Sequence, residues 1–159
     1  MIFVALGTQD KSFIRLLNKI EEICRNGTIK DKIIVQSGYT HFDSEFMDVR
    51  EYIDKNEFDN IIKNADLIIS HGGVGTIMNA LNYEKIIIGI PRLKKYGEHH
   101  NDHQKEILSS LASRGYILYC DEMDNLESII EKSKNFKIKK YTSDPSAIIK
   151  RVKEFIDSI

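Results

Sequence analysis

The strongest constraint on the fold is the repeated alternation of short apolar runs with amphipathic helical patterns. The apolar runs are rich in β-branched residues, as in "IFVAL", "KIIVQS", "DLIIS" and "KIIIGI". Each run is shorter than a typical helix and is apolar at consecutive positions, which is typical of a strand covered on both faces. The sequence therefore predicts an α/β fold, a single doubly wound, Rossmann-like parallel sheet with helices on both sides.

The alternation continues along the whole chain without a linker or an internal repeat. We expect strands at residues 2–6, 32–37, 66–70, 85–90 and 116–120, with a short strand within 47–53. Residues 1–159 are thus expected to form a single domain, with a C-terminal amphipathic helix at about 144–158. The apolar stripe of that helix either packs on its own sheet or meets a partner chain.

Composition limits the classes of function. The 159 residues are 42% hydrophobic and 30% charged, with a net charge of -1, so the chain is globular and gives no sign of nucleic-acid binding. Cys24 and Cys120 lack pair spacing, which fits two buried thiols in a reducing compartment. The N-terminal "MIFVALG" is not a secretory signal, and no apolar run is long enough to cross a membrane.

The segment "SHGGVGTIMNAL" (residues 70–81) joins a predicted strand directly to a predicted helix. Its glycines allow close approach to the backbone, and the first N–H groups of a helix attract anions. Thr76 adds a hydroxyl donor, and His71 adds a ring donor that is stronger if protonated. The segment predicts a phosphate site; the alternative is a tight turn whose glycines serve only geometry.

Two common nucleotide motifs do not fit this segment. It has no G-x-x-x-x-G-K-[ST] pattern, so it is not a Walker loop. Gly73 and Gly75 provide a G-x-G, but Met78 stands where a dinucleotide fingerprint has its third glycine. The next strand ends in Pro91 and Arg92 rather than in an acidic residue, which argues against a nicotinamide-dependent oxidoreductase.

A second polar cluster lies in "YGEHHNDHQKEI" (residues 96–107). Asn101 or Asp102 can cap the helix that follows. Carboxylate and amide groups here can also bind the vicinal hydroxyls of a sugar. Two alternatives are a solvated loop and a metal site at His99 and His103, although no distant Cys or His pair completes a metal site.

Taken together, these segments resemble a known family. "SHGGVGTIMNAL", "IIIGIPR" and "YGEHHNDHQKEI" are similar, in that order, to the carboxyl-terminal donor-binding half of glycosyltransferase family 28. "FVALGTQDKSFIRLL" and "VQSGYT" are similar to the start of that half. The chain most resembles stand-alone versions of it, found in bacterial capsule or exopolysaccharide synthesis and in the eukaryotic dolichol-linked GlcNAc transferase.

The resemblance implies roles for particular residues. The residues that match the family's diphosphate-binding turn are His71, Gly72, Gly73, Val74, Gly75 and Thr76. The residues that match its first glycine turn, which faces the donor and the interdomain cleft, are Gly7 and Thr8. The residues that match its ribose and sugar contacts are Asn79, Asp102, His103 and Gln104. Many relatives have glutamate at the position of Asn79, and asparagine there carries no charge.

The resemblance also implies a function. The chain would be the UDP-sugar-binding subunit of a two-component inverting GT-B hexosyltransferase, with galactose favoured over GlcNAc or glucose. A membrane-anchored subunit would bind the lipid-linked saccharide acceptor and hold this cytoplasmic chain at the inner face of the membrane. No cofactor or metal is implied, and no catalytic base is assigned. The alternatives are a non-catalytic stabilising subunit of the partner transferase and another Rossmann-like enzyme or phosphate-binding module.

Overall fold

The computed structural model describes residues 1–139 and 152–153. Its strands are β1 (Ile2–Ala5), β2 (Ile33–Gln36), β3 (Met47–Arg50), β4 (Leu67–Ser70), β5 (Ile86–Gly89) and β6 (Leu118–Tyr119). Its α-helices are α1 (Ile14–Arg25), α2 (Lys55–Asn64), α3 (Val74–Asn82), α4 (His103–Ser113) and α5 (Leu126–Ser133). Two short 3₁₀ helices lie at Lys94–Tyr96 and Met123–Asn125.

All six strands form one parallel sheet in the order β3-β2-β1-β4-β5-β6. The chain builds outward from β1 to β3, then returns to place β4 on the other side of β1. The point where the order reverses therefore lies between β1 and β4, whose last residues, Ala5 and Ser70, are paired in register. The predicted doubly wound, Rossmann-like fold is confirmed.

Each face of the sheet is covered by apolar helix side chains. Alternating side chains of β1 point to opposite faces of the sheet. Val4 packs with α1 and α5, whereas Phe3 packs with α2, α3 and α4. Both kinds of position are fully buried, which explains why the strands read as continuous apolar runs.

The predicted element bounds are close to the observed ones, with a few differences. α2 begins at Lys55 because the Asp54 carboxylate accepts a hydrogen bond from the Glu57 N–H and caps it. The strand expected at 116–120 pairs only at Leu118–Tyr119, at the edge of the sheet. The helix expected at 144–158 lies outside the described residues apart from Val152 and Lys153, and Val152 packs on the α2–α4 side of the core.

Gly89 at the end of β5 provides a test of this packing. A Cβ built there lies 2.5 Å from Cδ2 of Leu108, which is completely buried in α4. Gly89→Ala should therefore lower the free energy of unfolding by about 1–3 kcal/mol, because α4 must shift away from the sheet. Urea denaturation measures this. Gly75→Ala is the matched control, since no atom of residues 1–139 lies within 4 Å of a Cβ there, and an equal loss in both variants would contradict the expectation.

Candidate functional site

Both glycine turns noted in the sequence lie where the strand order reverses. Gly7 follows β1 and Gly72 follows β4, at the carboxyl edge of the sheet. Doubly wound sheets bind ligands in the crevice at this position, because the loops from the two halves of the sheet separate there. The fold therefore brings together the two segments that the sequence indicated separately.

The three glycines of the second turn have different surroundings. A Cβ on Gly72 would lie 2.6 Å from Cβ of Gln104, and a Cβ on Gly73 would lie 2.5 Å from Nε2 of His71. Both glycines are therefore required by contacts within the protein. Among the described residues, no atom lies within 4 Å of a Cβ on Gly75. Internal geometry thus accounts for two of the glycines and leaves the third facing open space.

Helix α3 presents its N-terminus at this turn. Gly73 is the N-cap residue and makes no side-chain cap hydrogen bond, and the first intrahelical bond runs from the Ile77 N–H to the Gly73 carbonyl. The N–H groups of Val74, Gly75 and Thr76 precede that bond and have no intrahelical acceptor. Together with the helix dipole, they form a site suited to an anion.

His71 lies under both turns with only 6% of its surface exposed. Its Nδ1 is 3.3 Å from the Gln104 amide nitrogen. Its Nε2 occupies the space that side chains at Gly7 and Gly73 would need, since a Cβ on Gly7 would also lie 2.5 Å from it. Gly7 has a φ of +80°, a conformation that also favours glycine.

The protonation state of His71 follows from its surroundings. Burial, followed by the nearby positive charge of Arg92 and by His99, lowers the pKa of His71 to about 3. The ring is therefore neutral at physiological pH in the unliganded protein. It can donate a hydrogen bond to a ligand, but it does not bring the positive charge that would have strengthened that bond.

Gln104 is buried, and its side chain is held within the protein. Its Oε1 accepts hydrogen bonds from the N–H groups of Gly72 (3.1 Å) and Arg92 (2.9 Å). The sequence predicts that Gln104 contacts the donor sugar. That contact stays a prediction: the amide joins the glycine turn, the end of β5 and His71, and these bonds use only one of the two hydrogens of its nitrogen.

The other residues expected at the sugar lie at the start of α4. Asp102 is exposed, and its carboxylate accepts from the Lys94 N–H at 2.9 Å. Asp102 is the N-cap residue of α4 but makes no side-chain cap hydrogen bond; the preceding Asn101 side chain accepts from the His103 N–H at 3.1 Å instead. The Nδ1 of His103 is buried, and no hydrogen-bond partner is found for it among the described residues.

Two residues of the site are absent from the sequence predictions. Arg92 is 1% exposed and donates to the carbonyls of Leu6, Lys11 and Glu98, so it joins the loop after β1 to the loop after β5. Asp59 on α2 accepts a hydrogen bond of 2.7 Å from the side-chain amide of Asn79 on α3. The charged side chain directly after Pro91, at the end of an apolar strand, was the available signal for Arg92.

Thr8 is exposed in the first turn, where the neighbouring Gln9 side chain lies 3.1 Å from Nε2 of His99. That contact ties the first turn to the loop before α4. Within residues 1–139 and 152–153, no three His, Cys, Asp or Glu side chains are grouped so that they could hold a metal ion. Across the same residues, no helix combines the length and the apolar character needed to cross a membrane.

Comparison with known sequences decides the family. The sequence model of the glycosyltransferase family 28 C-terminal domain matches residues 1–159. The chain belongs to this family. The human UDP-N-acetylglucosamine transferase subunit ALG13 is 29% identical over 133 residues, which are 75% of this chain and 11% of the human protein.

A second relative is bacterial. The UDP-N-acetylglucosamine--N-acetylmuramyl-(pentapeptide) pyrophosphoryl-undecaprenol N-acetylglucosamine transferase of Prochlorococcus marinus (strain AS9601) is 34% identical over 95 residues, which are 57% of this chain and 25% of that enzyme. The matched region of this family member thus spans 11% of the human relative and 25% of the bacterial one.

Solved structures agree with the family assignment at the level of the fold. An NMR structure of ALG13 superposes with a TM-score of 0.62 at 17% identity and covers 95% of this chain and 93% of that chain. Acinetobacter baumannii MurG superposes with a TM-score of 0.60 at 16% identity, covering 98% of this chain and 49% of that one. The expected equivalence to the C-terminal half of a GT-B glycosyltransferase is confirmed.

The lowered pKa of His71 predicts a pH dependence of stability. The pKa is about 3 in the folded chain against an ordinary value of 6.5. Between these values the unfolded chain binds the additional proton, so the free energy of unfolding falls as the pH falls, by up to about 1.4 kcal/mol per pH unit. Urea denaturation from pH 6.5 to pH 4 should give a shallower dependence for His71→Asn than for the wild type; equal slopes would contradict it.

Proposed function

We propose that this chain binds a UDP-sugar and is the donor-binding subunit of a two-component inverting glycosyltransferase. The observation that carries the proposal is the meeting of Gly75, the uncapped start of α3 and Nε2 of His71 at the point where the strand order reverses. A diphosphate needs close backbone approach, several N–H donors and a positive potential, and this position supplies them.

Catalysis at this site would act on the leaving group. Negative charge develops on the β-phosphate of UDP as the glycosidic bond breaks. N–H groups at the start of α3, the Thr76 hydroxyl and the His71 ring would stabilise that charge more in the transition state than in the ground state. The buried positive charge of Arg92 is close enough to lower the pKa of His71 and would act in the same direction.

Asn79 and Asp59 are the proposed ribose contacts. Asn79 lies one helical turn beyond Gly75 and Thr76, on the same face of α3. Its amide nitrogen donates to Asp59, so its oxygen and the Asp59 carboxylate are both left as acceptors for the ribose hydroxyls. The carboxylate that many relatives carry on this helix would thus be supplied here by α2.

The transferred sugar is proposed to be a hexose. The names of both relatives contain UDP-N-acetylglucosamine. This supports a UDP-sugar as the donor and GlcNAc as its sugar. Galactose rests on the similarity to bacterial capsule and exopolysaccharide subunits, and glucose differs from galactose only at one hydroxyl. Asp102, His103 and Gln104 are the proposed sugar contacts, and the second hydrogen of the Gln104 amide nitrogen is the group that would reach the sugar.

The partner would be a second glycosyltransferase subunit that binds the acceptor. One relative is itself named a subunit, which supports a heteromeric enzyme. We propose that the partner is attached to the membrane, holds this chain at the cytoplasmic face, and binds a lipid-linked saccharide. It would also complete the cleft and supply the base for the acceptor hydroxyl.

The substitution Gly75→Ala separates stability from binding. It should raise the free energy of unfolding by about 0.5–1 kcal/mol, because alanine is favoured over glycine in a helix and meets no atom there. It should also weaken UDP binding, because the new methyl group occupies the approach of the phosphate oxygens. Calorimetric titration with UDP, UDP-galactose, UDP-glucose and UDP-GlcNAc, without added metal, measures the second effect and ranks the sugars.

If Gly75→Ala binds UDP as tightly as the wild type, the diphosphate does not lie on this turn. If neither the chain alone nor the chain with its partner binds any UDP-sugar, the non-catalytic stabilising function replaces the proposal. Ser110→Ala is the control for protein handling and concentration, because Ser110 is half-buried on α4 and lies away from the turn.

The ribose contact has its own test. Asp59→Ala should weaken UDP binding by about tenfold, the loss typical of one hydrogen bond to a charged group. Inorganic diphosphate, which has no ribose, should bind both proteins equally. Asn60→Ala at the next, exposed position is the matched control. An equal loss for UDP and inorganic diphosphate would place Asp59 outside the ribose site.

A further inference from the structure

The orientation of the Gln104 side chain is fixed by two backbone groups. The N–H groups of Gly72 and Arg92 lie 3.1 Å and 2.9 Å from the same side-chain atom. Backbone N–H groups only donate, so the atom between them must be the amide oxygen. The amide nitrogen of Gln104 therefore faces Nδ1 of His71, at 3.3 Å.

This orientation determines where the His71 ring carries its hydrogen. An amide nitrogen is only a donor, so Nδ1 of His71 must be the acceptor and carries no hydrogen. A neutral imidazole has one N–H group, which then lies on Nε2. If Nδ1 were protonated, its N–H would face the N–H of the Gln104 amide, and two donors would meet inside the protein. This agrees with the burial that lowers the pKa of the ring.

The Nε2 atom lies between the two glycine turns. It is 2.5 Å from the Cβ positions that side chains at Gly7 and at Gly73 would occupy. The ring thus fills the space that both glycines leave open. Its N–H group therefore lies next to Gly7, after β1, and next to Gly73, the N-cap residue of α3.

We propose that Gln104 is a positioning residue that holds His71 as the Nε2–H tautomer, so that the ring presents a hydrogen-bond donor to the donor's diphosphate. The second half of this statement rests on the proposed function, whereas the tautomer does not. Gln104 then acts through His71 and through the Gly72 N–H. The opposite tautomer would place a lone pair at Nε2, facing the phosphate oxygens.

The tautomer is measured directly by NMR. The full chain is labelled with ¹⁵N-histidine, and long-range ¹H–¹⁵N spectra are recorded at pH 7, with His71→Asn used to assign the His71 signals. Nitrogen atoms with and without hydrogen differ widely in ¹⁵N shift. We expect Nε2 of His71 to have the shift of a protonated nitrogen and Nδ1 that of a bare one. A hydrogen on Nδ1, in the neutral or the charged ring, would overturn the inference.

The variant Gln104→Met tests the positioning role. Methionine keeps the approximate bulk but removes the donor to Nδ1, so the His71 signals should shift toward a mixture of both tautomers. UDP affinity should fall by about tenfold, because part of the population presents no donor to the phosphate. Lys105→Met, an exposed neighbour on the same helix, is the matched control and should keep both the spectrum and the affinity of the wild type.

The two readouts separate the inference from the proposed function. A pure Nε2–H ring in a chain that binds no UDP, alone or with its partner, would remove the donor site and leave the tautomer assignment standing. An Nδ1–H ring in a chain that binds UDP would overturn the role of Gln104 alone. A Gln104→Met protein with wild-type His71 signals and weaker UDP binding would mean that Gln104 has only a structural role. If that variant does not fold, the wild-type spectrum still decides the tautomer.

Discussion

The buried guanidinium of Arg92 holds the two halves of the site in one arrangement. Its Nη1 donates to the carbonyls of Lys11 (2.8 Å) and Glu98 (3.2 Å), and its Nη2 donates to the carbonyl of Leu6. Burial lowers its pKa to about 10, while the carboxylate of Glu98 opposes that shift, so the group stays charged at neutral pH. Carbonyl groups of the loop after β1 and of the loop after β5 thus bind the same buried guanidinium, whose positive charge lies in a region of low dielectric.

In the proposed site, three requirements of anion binding would be met by different residues. Arg92 would provide net charge, His71 a directed but neutral hydrogen bond, and Gly75 open access to the backbone. Because the ring and the guanidinium are fixed by packing before any ligand arrives, little reorganisation is needed when charge develops on the ligand. A protonated His71 beside Arg92 would instead oppose two buried positive charges, which explains why the site uses a neutral imidazole.

The sequence was sufficient for the sheet and for the turns at the point where its order reverses, because these follow from local patterns. Apolar β-branched runs predict buried strands. A glycine-rich segment before a helix predicts an anion site regardless of where the helix packs in the fold. The role of Gln104 was not predictable, since its partners Gly72 and Arg92 lie 32 and 12 residues away in the sequence. Likewise, Asp59 reaches Asn79 only because α2 and α3 pack together, and the pKa of His71 is lowered by burial and by Arg92, which lies 21 positions away in the sequence.

Gly75 bears on the choice between a donor-binding subunit and a purely stabilising one. Gly72 and Gly73 are needed by the packing of Gln104 and His71, so both kinds of subunit would require them. In the part of the chain that the structure describes, no atom requires glycine at position 75, and glycine within a helix costs about 0.5–1 kcal/mol relative to alanine. A subunit that only supported its partner would gain stability from a side chain here and lose nothing. The cost is understandable if the space above Gly75 belongs to a ligand that approaches the backbone closely.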